Sequence, residues 1–233
     1  MIYDFDPLYS AYPKLINQTV KFLPMDTERR FYHFRECRDR RSILKTFGWL
    51  DTEINYSFNS YGFRSDEFED VSIPSILFLG CSYTVGIGIK IEHSFTSIIA
   101  KELNLKNYNL GVGAGGADSS FRIGHYWIPK LKPTAVVFMN LFERRCEKIK
   151  KGNICEQIII NKQEDMLSDK HWDINNLKGL YALKHICHEY NIKFYNITKF
   201  AKLDLARDLV HPGKLSNEQT AEEILNQIKS RGK

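Results

Sequence analysis

The sequence predicts an α/β fold in which helices cover both faces of a parallel sheet. The first observation is a short apolar run, Ser75-Ile-Leu-Phe-Leu-Gly80, which is typical of a strand buried on both faces. The second is the alternation of strand and helix patterns after this run, which favours right-handed β-α-β crossovers. The third is size and composition: 233 residues, 43% hydrophobic and 26% charged, indicate one globular domain with an additional segment.

The elements follow this division along the chain. Residues 1–74 lack regular periodicity and carry several turn residues, so we predict a lead-in with short helices and one or two strands, one of them at Thr52–Phe58. Residues 75–233 are predicted to form the α/β domain. Its predicted helices are Glu92–Leu103, Asp118–Ile128 ended by Pro129, Asn175–Tyr190, and Ser216–Ile228 with a capping box at Ser216 and Gln219; its further strands are Tyr108–Gly111, Thr134–Met139, Ile154–Ile160 and Ile192–Ile197.

The apolar runs and the cysteines of the sequence indicate the cellular compartment in which the protein is expected. No apolar run approaches the roughly 18 residues of a membrane span, and the first residues, Met1-Ile-Tyr-Asp-Phe-Asp6, do not resemble a secretory signal. Five cysteines without CxxC spacing suggest neither a disulfide framework nor a zinc ribbon. A reducing, cytoplasmic location is therefore expected.

Two segments carry residue types suited to nucleophilic catalysis. Ser82 follows the first predicted strand in Gly80-Cys-Ser-Tyr-Thr84, where a sharp turn would expose its hydroxyl at the sheet edge. Asp208 and His211 lie three residues apart near the other end of the chain. This spacing allows the carboxylate to accept a hydrogen bond from Nδ1–H, which leaves Nε2 free to take a proton from Ser82.

These segments, together with Asn109-Leu-Gly111-Val-Gly113 after the second strand, resemble the SGNH (GDSL) hydrolase family over about residues 75–229. Residues 56–67 also resemble a lead-in found before this domain in some members. The resemblance implies a flavodoxin-like, three-layer α/β/α sandwich. It further implies a serine esterase or acyl hydrolase that cleaves, or transfers the acyl group of, a small-molecule or glycan carboxylic ester such as a carbohydrate O-acetyl group. No metal and no organic cofactor are implied.

The resemblance also assigns roles to residues. Ser82 is the nucleophile, His211 the base and then the acid, and Asp208 orients the histidine. The oxyanion hole is formed by the N–H groups of Ser82 and Ala114 and the side chain of Asn140.

The sequence departs from the family pattern at three positions. Cys81 replaces the usual aspartate of G-D-S, and a cysteine nucleophile is the alternative there. Ala114 replaces a glycine, with Gly113 or Gly115 as alternative donors after a small shift. Ungapped counting places Glu143 where the family has the asparagine of its oxyanion hole. Asn140 can be this donor if the strand ends about one turn earlier. Otherwise, Arg144 or Arg145 supplies the positive charge next to the oxyanion.

Two other functions compete with hydrolysis. The turn Gly111-Val-Gly-Ala-Gly-Gly116 matches a dinucleotide-binding fingerprint, although it does not follow the first strand of its unit and Glu143 lies beyond the expected ~20-residue spacing. A non-catalytic SGNH-like binding module is the second alternative. His185, Cys187 and His188 share one helical turn without a further ligand cluster, so no metal site is predicted.

An arginine-rich stretch in the lead-in lies outside the predicted triad. This stretch predicts an amphipathic helix whose Phe31 and Phe34 side chains pack against the core. The alternative is that its arginines contact a polyanion or a protein. The residues concerned are Arg29, Arg30, Arg35, Arg38, Arg40 and Arg41.

Overall fold

The structure is a computed structural model and describes residues 3–141, 144–152, 154–160 and 168–230. Its strands are β1 (Thr19–Val20), β2 (Tyr56–Ser57), β3 (Ser75–Leu79), β4 (Lys106–Asn109), β5 (Ala135–Met139), β6 (Arg145–Lys150), β7 (Ile154–Ile159) and β8 (Lys193–Ile197). Its α-helices are α1 (Glu28–Glu36), α2 (Arg38–Thr46), α3 (Ser82–Val85), α4 (Phe95–Glu102), α5 (Ala117–Leu131), α6 (Asp169–Glu189) and α7 (Lys214–Ser230).

A four-stranded parallel sheet in the order β4-β3-β5-β8 forms the centre. Alternate residues of β3 point to opposite faces: Leu77 packs in a cluster with α5 and α6, and Phe78 in a cluster with α4 and α7. Every residue of β3 and β5 is buried. The predicted α/β fold with helices on both faces is confirmed.

The sheet brings the functional segments to one edge. In β3, Leu79 pairs with Phe138 of β5, and Phe78 pairs with Asn109 of β4. Because the strands are parallel, the segments that follow them all leave from the same side of the sheet. The residues after Leu79, Asn109 and Met139 therefore lie next to one another.

The lead-in packs on the α/β part at three places. Residues of α1, α2 and β2 form a third apolar cluster with Val85, Ile87 and Ala206 from the segments that follow β3 and β8. Tyr61 and Phe63 are fully buried against Trp127 of α5. The third place is the open edge of β4, where residues 65–66 hydrogen-bond to its backbone. The division at residue 74 stays a prediction, and the lead-in shares its core with the rest of the chain.

Several predicted helix boundaries are wrong. Helix α4 begins at Phe95 rather than Glu92, and α6 begins at Asp169 rather than Asn175. Helix α5 continues through Pro129 to Leu131, because Trp127, Ile128 and Leu131 remain buried in its last turns. Helix α7 begins before Ser216, so the predicted capping box does not form. Instead, the carboxylate of Asp204 accepts hydrogen bonds from the N–H groups of Leu215 (3.0 Å) and Ser216 (2.9 Å).

Three predicted strands differ from expectation. The strand predicted at Tyr108–Gly111 is β4, which lies two residues earlier at Lys106–Asn109. The predicted strand Thr52–Phe58 is reduced to β2, which pairs antiparallel with β1. The strand predicted at Ile154–Ile160 is β7, which pairs with β6 in a separate antiparallel hairpin rather than joining the main sheet. Within the described ranges, no helix combines the length and the apolarity that a membrane span requires.

Candidate active site

Ser82 begins the single turn of α3 directly after the central strand β3. Gly80 makes this sharp exit possible, because a Cβ atom there would lie 2.9 Å from the Cβ of Met139 on the neighbouring strand. Ser82 is 6% exposed. Neither its hydroxyl nor its backbone N–H makes a hydrogen bond with any residue that the structure describes.

Asp208 and His211 form a tight pair in the loop between β8 and α7. The distance from Nδ1 of His211 to Oδ2 of Asp208 is 2.5 Å, and both side chains are almost fully buried. The backbone N–H groups of Val210 and His211 donate to Oδ1 of Asp208 at 3.1 and 3.0 Å. Nε2 of His211 has no hydrogen-bond partner in the described part of the chain.

The hydrogen bonds keep Asp208 ionised. Burial raises the pKa of the Asp208 carboxyl, but the hydrogen bond and charge of His211 and the two backbone N–H donors outweigh burial. The pKa of Asp208 therefore lies below its usual value of 3.8. An ionised, oriented carboxylate holds Nδ1 as the donor and leaves Nε2 as the acceptor.

The two segments adjoin. The ring of Tyr83 packs edge-on against the His211 ring with centroids 5.6 Å apart. The N–H of Arg207 donates to the carbonyl of Gly88 at 2.9 Å. Ser82 and His211 are not hydrogen-bonded to each other; such contacts are often long before substrate binds.

The glycine-rich turn after β4 presents one free donor. The N–H of Gly113 donates to the Tyr12 hydroxyl at 3.2 Å, and the N–H of Gly115 donates to the Val112 carbonyl at 2.9 Å. Neither alternative donor is therefore available. The N–H of Ala114 makes no hydrogen bond among the described residues, and its φ of 59° places it in the left-handed region.

Asn140 follows β5 and its side chain is buried. Its backbone N–H donates to the Ile197 carbonyl at 2.7 Å, whereas its amide nitrogen Nδ2 is buried without a hydrogen-bond partner among the described residues. Asn140 lines a cavity of about 20 Å³ together with Cys81 and Gly115. The segments that carry Ser82, Ala114 and Asn140 thus meet around one small space.

Four further residues are the alternatives that the sequence offered for the oxyanion hole or for the nucleophile. Glu143 is outside the described residues. Arg144 forms an ion pair with Asp169 on α6. Arg145 donates to the carbonyl of Gly115 at 3.1 Å, which places its cation on the backbone of the glycine-rich turn. Cys81 is buried and immediately precedes α3.

Sequence reasoning missed the contact between the arginine-rich stretch and the triad loop. Nη2 of Arg30 donates to the carbonyl of Asp208 at 3.3 Å, so this residue reaches the candidate site. Helix α1 is amphipathic as predicted, with Phe31 and Phe34 buried. The other arginines of the stretch are exposed: Arg29, Arg35, Arg38, Arg40 and Arg41.

The competing sites lack the expected geometry. The Tyr12 hydroxyl accepts the hydrogen bond from the N–H of Gly113 at 3.2 Å, and backbone donors of this kind are what a bound pyrophosphate would need. Cys187 is buried in the core while His185 and His188 on the same helix are exposed. Across the described ranges, no group of three potential ligands is arranged around a metal position.

Two recesses flank the candidate site. A groove of about 580 Å³ runs along the glycine-rich turn, lined by Val112 and Gly113, by the lead-in and by the β6–β7 hairpin. A second recess of about 230 Å³ is lined by Tyr83, Val210 and Pro212, beside the histidine. The first is lined by Gly113, which precedes Ala114 in the chain, and the second by Val210 and Pro212, which flank His211 in the chain.

Comparison with known proteins gives structural neighbours only. No protein-family profile and no curated protein sequence matches the chain. Among solved structures, it is similar to the psychrotrophic esterase EstA from Pseudoalteromonas sp. inhibited by monoethylphosphonate (14% identity, TM-score 0.40, covering 67% of this chain and 97% of that one). It is also similar to a protein described as lipolytic and of the G-D-S-L family from Desulfitobacterium hafniense (11%, 0.40, 64% and 95%).

A third neighbour is a protein described as a GDSL-like lipase from Bacteroides ovatus, at 11% identity and a TM-score of 0.41. The match covers 70% of this chain and 55% of that one. The three neighbours are described as an esterase, a lipolytic protein of the G-D-S-L family and a GDSL-like lipase.

Proposed function

We propose that the protein is a serine hydrolase that cleaves a carboxylic ester through an acyl-serine intermediate. The observation that supports this most is a set of polar groups that hydrogen-bond to none of the described residues and lie beside the hydrogen-bonded Asp208–His211 pair. The set comprises the Ser82 hydroxyl, Nε2 of His211, and the N–H groups of Ser82, Ala114 and the Asn140 side chain. Of its side-chain atoms, the Asn140 amide nitrogen is fully buried. Buried polar groups in folded proteins are nearly always paired, so the amide nitrogen of Asn140 calls for an external partner.

The proposed reaction uses each of these groups. The Ser82 oxygen attacks the ester carbonyl carbon while its proton passes to Nε2 of His211. The carbonyl electron pair moves onto oxygen, and the three N–H groups stabilise the resulting oxyanion. When the intermediate collapses, the C–O bond to the alcohol breaks and His211 protonates the departing alkoxide. Asp208 stays ionised throughout and stabilises the imidazolium.

The second half returns the enzyme to its starting state. His211 removes a proton from water, the water oxygen attacks the acyl carbon, and the Ser82 oxygen leaves and takes the proton back from His211. An alcohol in place of water gives acyl transfer by the same steps.

The flanking recesses support an ester with a substituent on each side of the carbonyl. Acetyl, butyryl and octanoyl p-nitrophenyl esters and an O-acetylated glycan test which acyl length and which alcohol the protein accepts. A carbohydrate O-acetyl group remains part of the proposal; the groove along Val112 and Gly113 also has room for longer acyl chains.

A fluorophosphonate probe tests the nucleophile directly. We expect covalent labelling of the wild-type protein that is lost in Ser82→Ala and His211→Ala and retained in Cys81→Ala. Loss of labelling in Cys81→Ala with retention in Ser82→Ala would identify the cysteine as the nucleophile instead. Absence of Ser82-dependent labelling would contradict the proposal and favour a non-catalytic binding module.

Asn140→Ala tests the oxyanion hole. Removing one such donor typically lowers turnover by about 10² to 10³-fold. The amide nitrogen of Asn140 hydrogen-bonds to none of the described residues, so the substitution should lower kcat far more than the midpoint of thermal unfolding. An unchanged kcat would remove Asn140 from the proposed site.

A further inference from the structure

We infer that Asp26 and Arg207 are positioning residues, through which the lead-in holds the Asp208–His211 pair in its working geometry. The inference rests on the proposed function of that pair. Arg207 immediately precedes Asp208 in the chain, whereas Asp26 lies in the lead-in just before α1.

The ion pair between them is bidentate and buried. Nε of Arg207 donates to Oδ1 of Asp26 at 3.1 Å and Nη2 donates to Oδ2 at 2.7 Å. The two side chains are 3% and 1% exposed. The guanidinium lies over the rings of Phe22 and Phe31, at 4.9 and 5.1 Å from their centroids, so it is fixed in both direction and rotation.

The same carboxylate also connects to the loop that follows Ser82. The Tyr56 hydroxyl donates to Asp26, and the N–H of Gly88 donates to the Tyr56 oxygen at 2.8 Å. The Gly88 carbonyl in turn accepts from the N–H of Arg207 at 2.9 Å. One buried carboxylate therefore links both loops of the proposed triad in a closed ring of hydrogen bonds.

The triad loop needs such support. Leu209, between Asp208 and His211, adopts a left-handed backbone conformation with φ of 54°, which is costly for a residue with a Cβ. Strained loops keep their geometry only when neighbouring structure holds them. A buried ion pair adds little net stability compared with apolar side chains of the same size. Its effect here is on geometry: it fixes the backbone next to Asp208.

The test compares a coupled substitution with a matched control. Asp26→Asn combined with Arg207→Met removes both charges together and leaves neither buried alone; asparagine also keeps an acceptor for Tyr56. Tyr56→Phe is the milder variant, which opens the hydrogen-bonded ring but retains the ion pair. Glu53→Gln is the control, because it breaks the exposed Lys21–Glu53 pair (2.6 Å) in the same lead-in and leaves the hydrogen bonds between Arg207 and Asp26 in place.

We expect the double variant to remain folded and to lose kcat by about 10²-fold, the effect of misplacing a catalytic group by about 1 Å, with KM little changed. Tyr56→Phe should lose less, and Glu53→Gln nothing. In a His211→Ala background, the double substitution should cause no further loss of the residual rate. An equal loss with and without His211 would overturn the inference, because it would show a general structural effect.

A spectroscopic readout separates this inference from the proposed function. The hydrogen-bonded Nδ1 proton of His211 should give a low-field NMR resonance that disappears in Asp208→Asn. We expect this resonance to shift or broaden in Asp26→Asn/Arg207→Met, or in Tyr56→Phe if the double variant does not fold, and to stay unchanged in Glu53→Gln. An unchanged resonance in both variants overturns the inference, whether or not the protein labels at Ser82.

Discussion

Ala114 illustrates how a single residue can carry a backbone cost at the site. Its left-handed conformation costs a non-glycine residue roughly 1–2 kcal/mol, and glycine would adopt it freely. Its N–H is the one group of the turn that the site is proposed to use. The sequence resemblance led us to expect glycine at this position, and the structure shows why.

Ala114→Gly should therefore stabilise the protein. Relief of the left-handed strain outweighs the extra flexibility of glycine in the unfolded chain, and we expect a net gain of about 0.5–1 kcal/mol. Urea unfolding measures this difference. Because the N–H is retained, ester hydrolysis should be unchanged, and a lower stability would show that the alanine methyl group makes a contact worth more than the strain.

Asp208 makes stability depend on pH in acid solution. Its pKa in the folded protein lies below the usual 3.8, so the folded state favours the ionised form more than the unfolded state does. The resulting stabilisation is fully present above the unfolded pKa and is lost as the pH falls through the folded pKa. We expect the difference in unfolding midpoint between wild type and Asp208→Asn to narrow below about pH 4. A difference that does not vary down to pH 3 would contradict this.

At the scale of elements, the central sheet could be predicted from local sequence patterns. The apolar run of β3 and the alternation after it identified the sheet, because burial on both faces leaves a direct mark on the sequence. The end of α5 could not be predicted in this way. Pro129 marks a helix end locally, but burial of Leu131 against the core continues the helix beyond it.

The start of α7 shows the same limit. Ser216 has the sequence pattern of a capping residue, but it lies inside the helix, where its hydroxyl donates to the carboxylate of Asp204 at 2.7 Å. The carboxylate that accepts hydrogen bonds from the N–H groups of Leu215 and Ser216 belongs to Asp204, which lies 11 and 12 residues earlier in the chain. No short motif encodes that distance.

Asp204→Asn should accordingly weaken α7. The substitution removes a negative charge from the helix N-terminus and one of the two acceptor oxygens, and caps of this kind contribute about 1–2 kcal/mol. Thermal unfolding measures the loss. Glu218→Gln in the same helix is the control, since its contact with Lys214 (3.8 Å) is exposed. Equal effects of the two substitutions would show that Asp204 does not cap the helix.

At the scale of the molecule, residues 1–74 supply core as well as positioning contacts. Tyr61 and Phe63 are both 0% exposed, and the Tyr61 ring lies 5.1 Å from that of Trp127. Sequence alone predicted a lead-in because these residues lack periodicity, but periodicity does not report contacts between distant segments. The ion pair of Asp26 with Arg207 could not be predicted from the sequence for the same reason.

A chain of residues 75–233 alone tests the predicted division. Without the lead-in, Trp127 and its neighbours in the core would be exposed, so we expect a loss of cooperative unfolding and binding of a hydrophobic dye such as ANS. Circular dichroism during heating measures the first. Cooperative unfolding close to that of the full chain would instead show that residues 75–233 form an independent domain.

The distance in sequence between Asp26 and Arg207 has a consequence for folding kinetics. The two residues are 181 positions apart, so their contact closes most of the chain into one loop. Contacts of such long range slow folding, because the entropy of loop closure is lost before the contact forms. During synthesis the aspartate emerges long before the arginine that neutralises it. The Asp208–His211 loop therefore gains this support only after most of the chain has been synthesised.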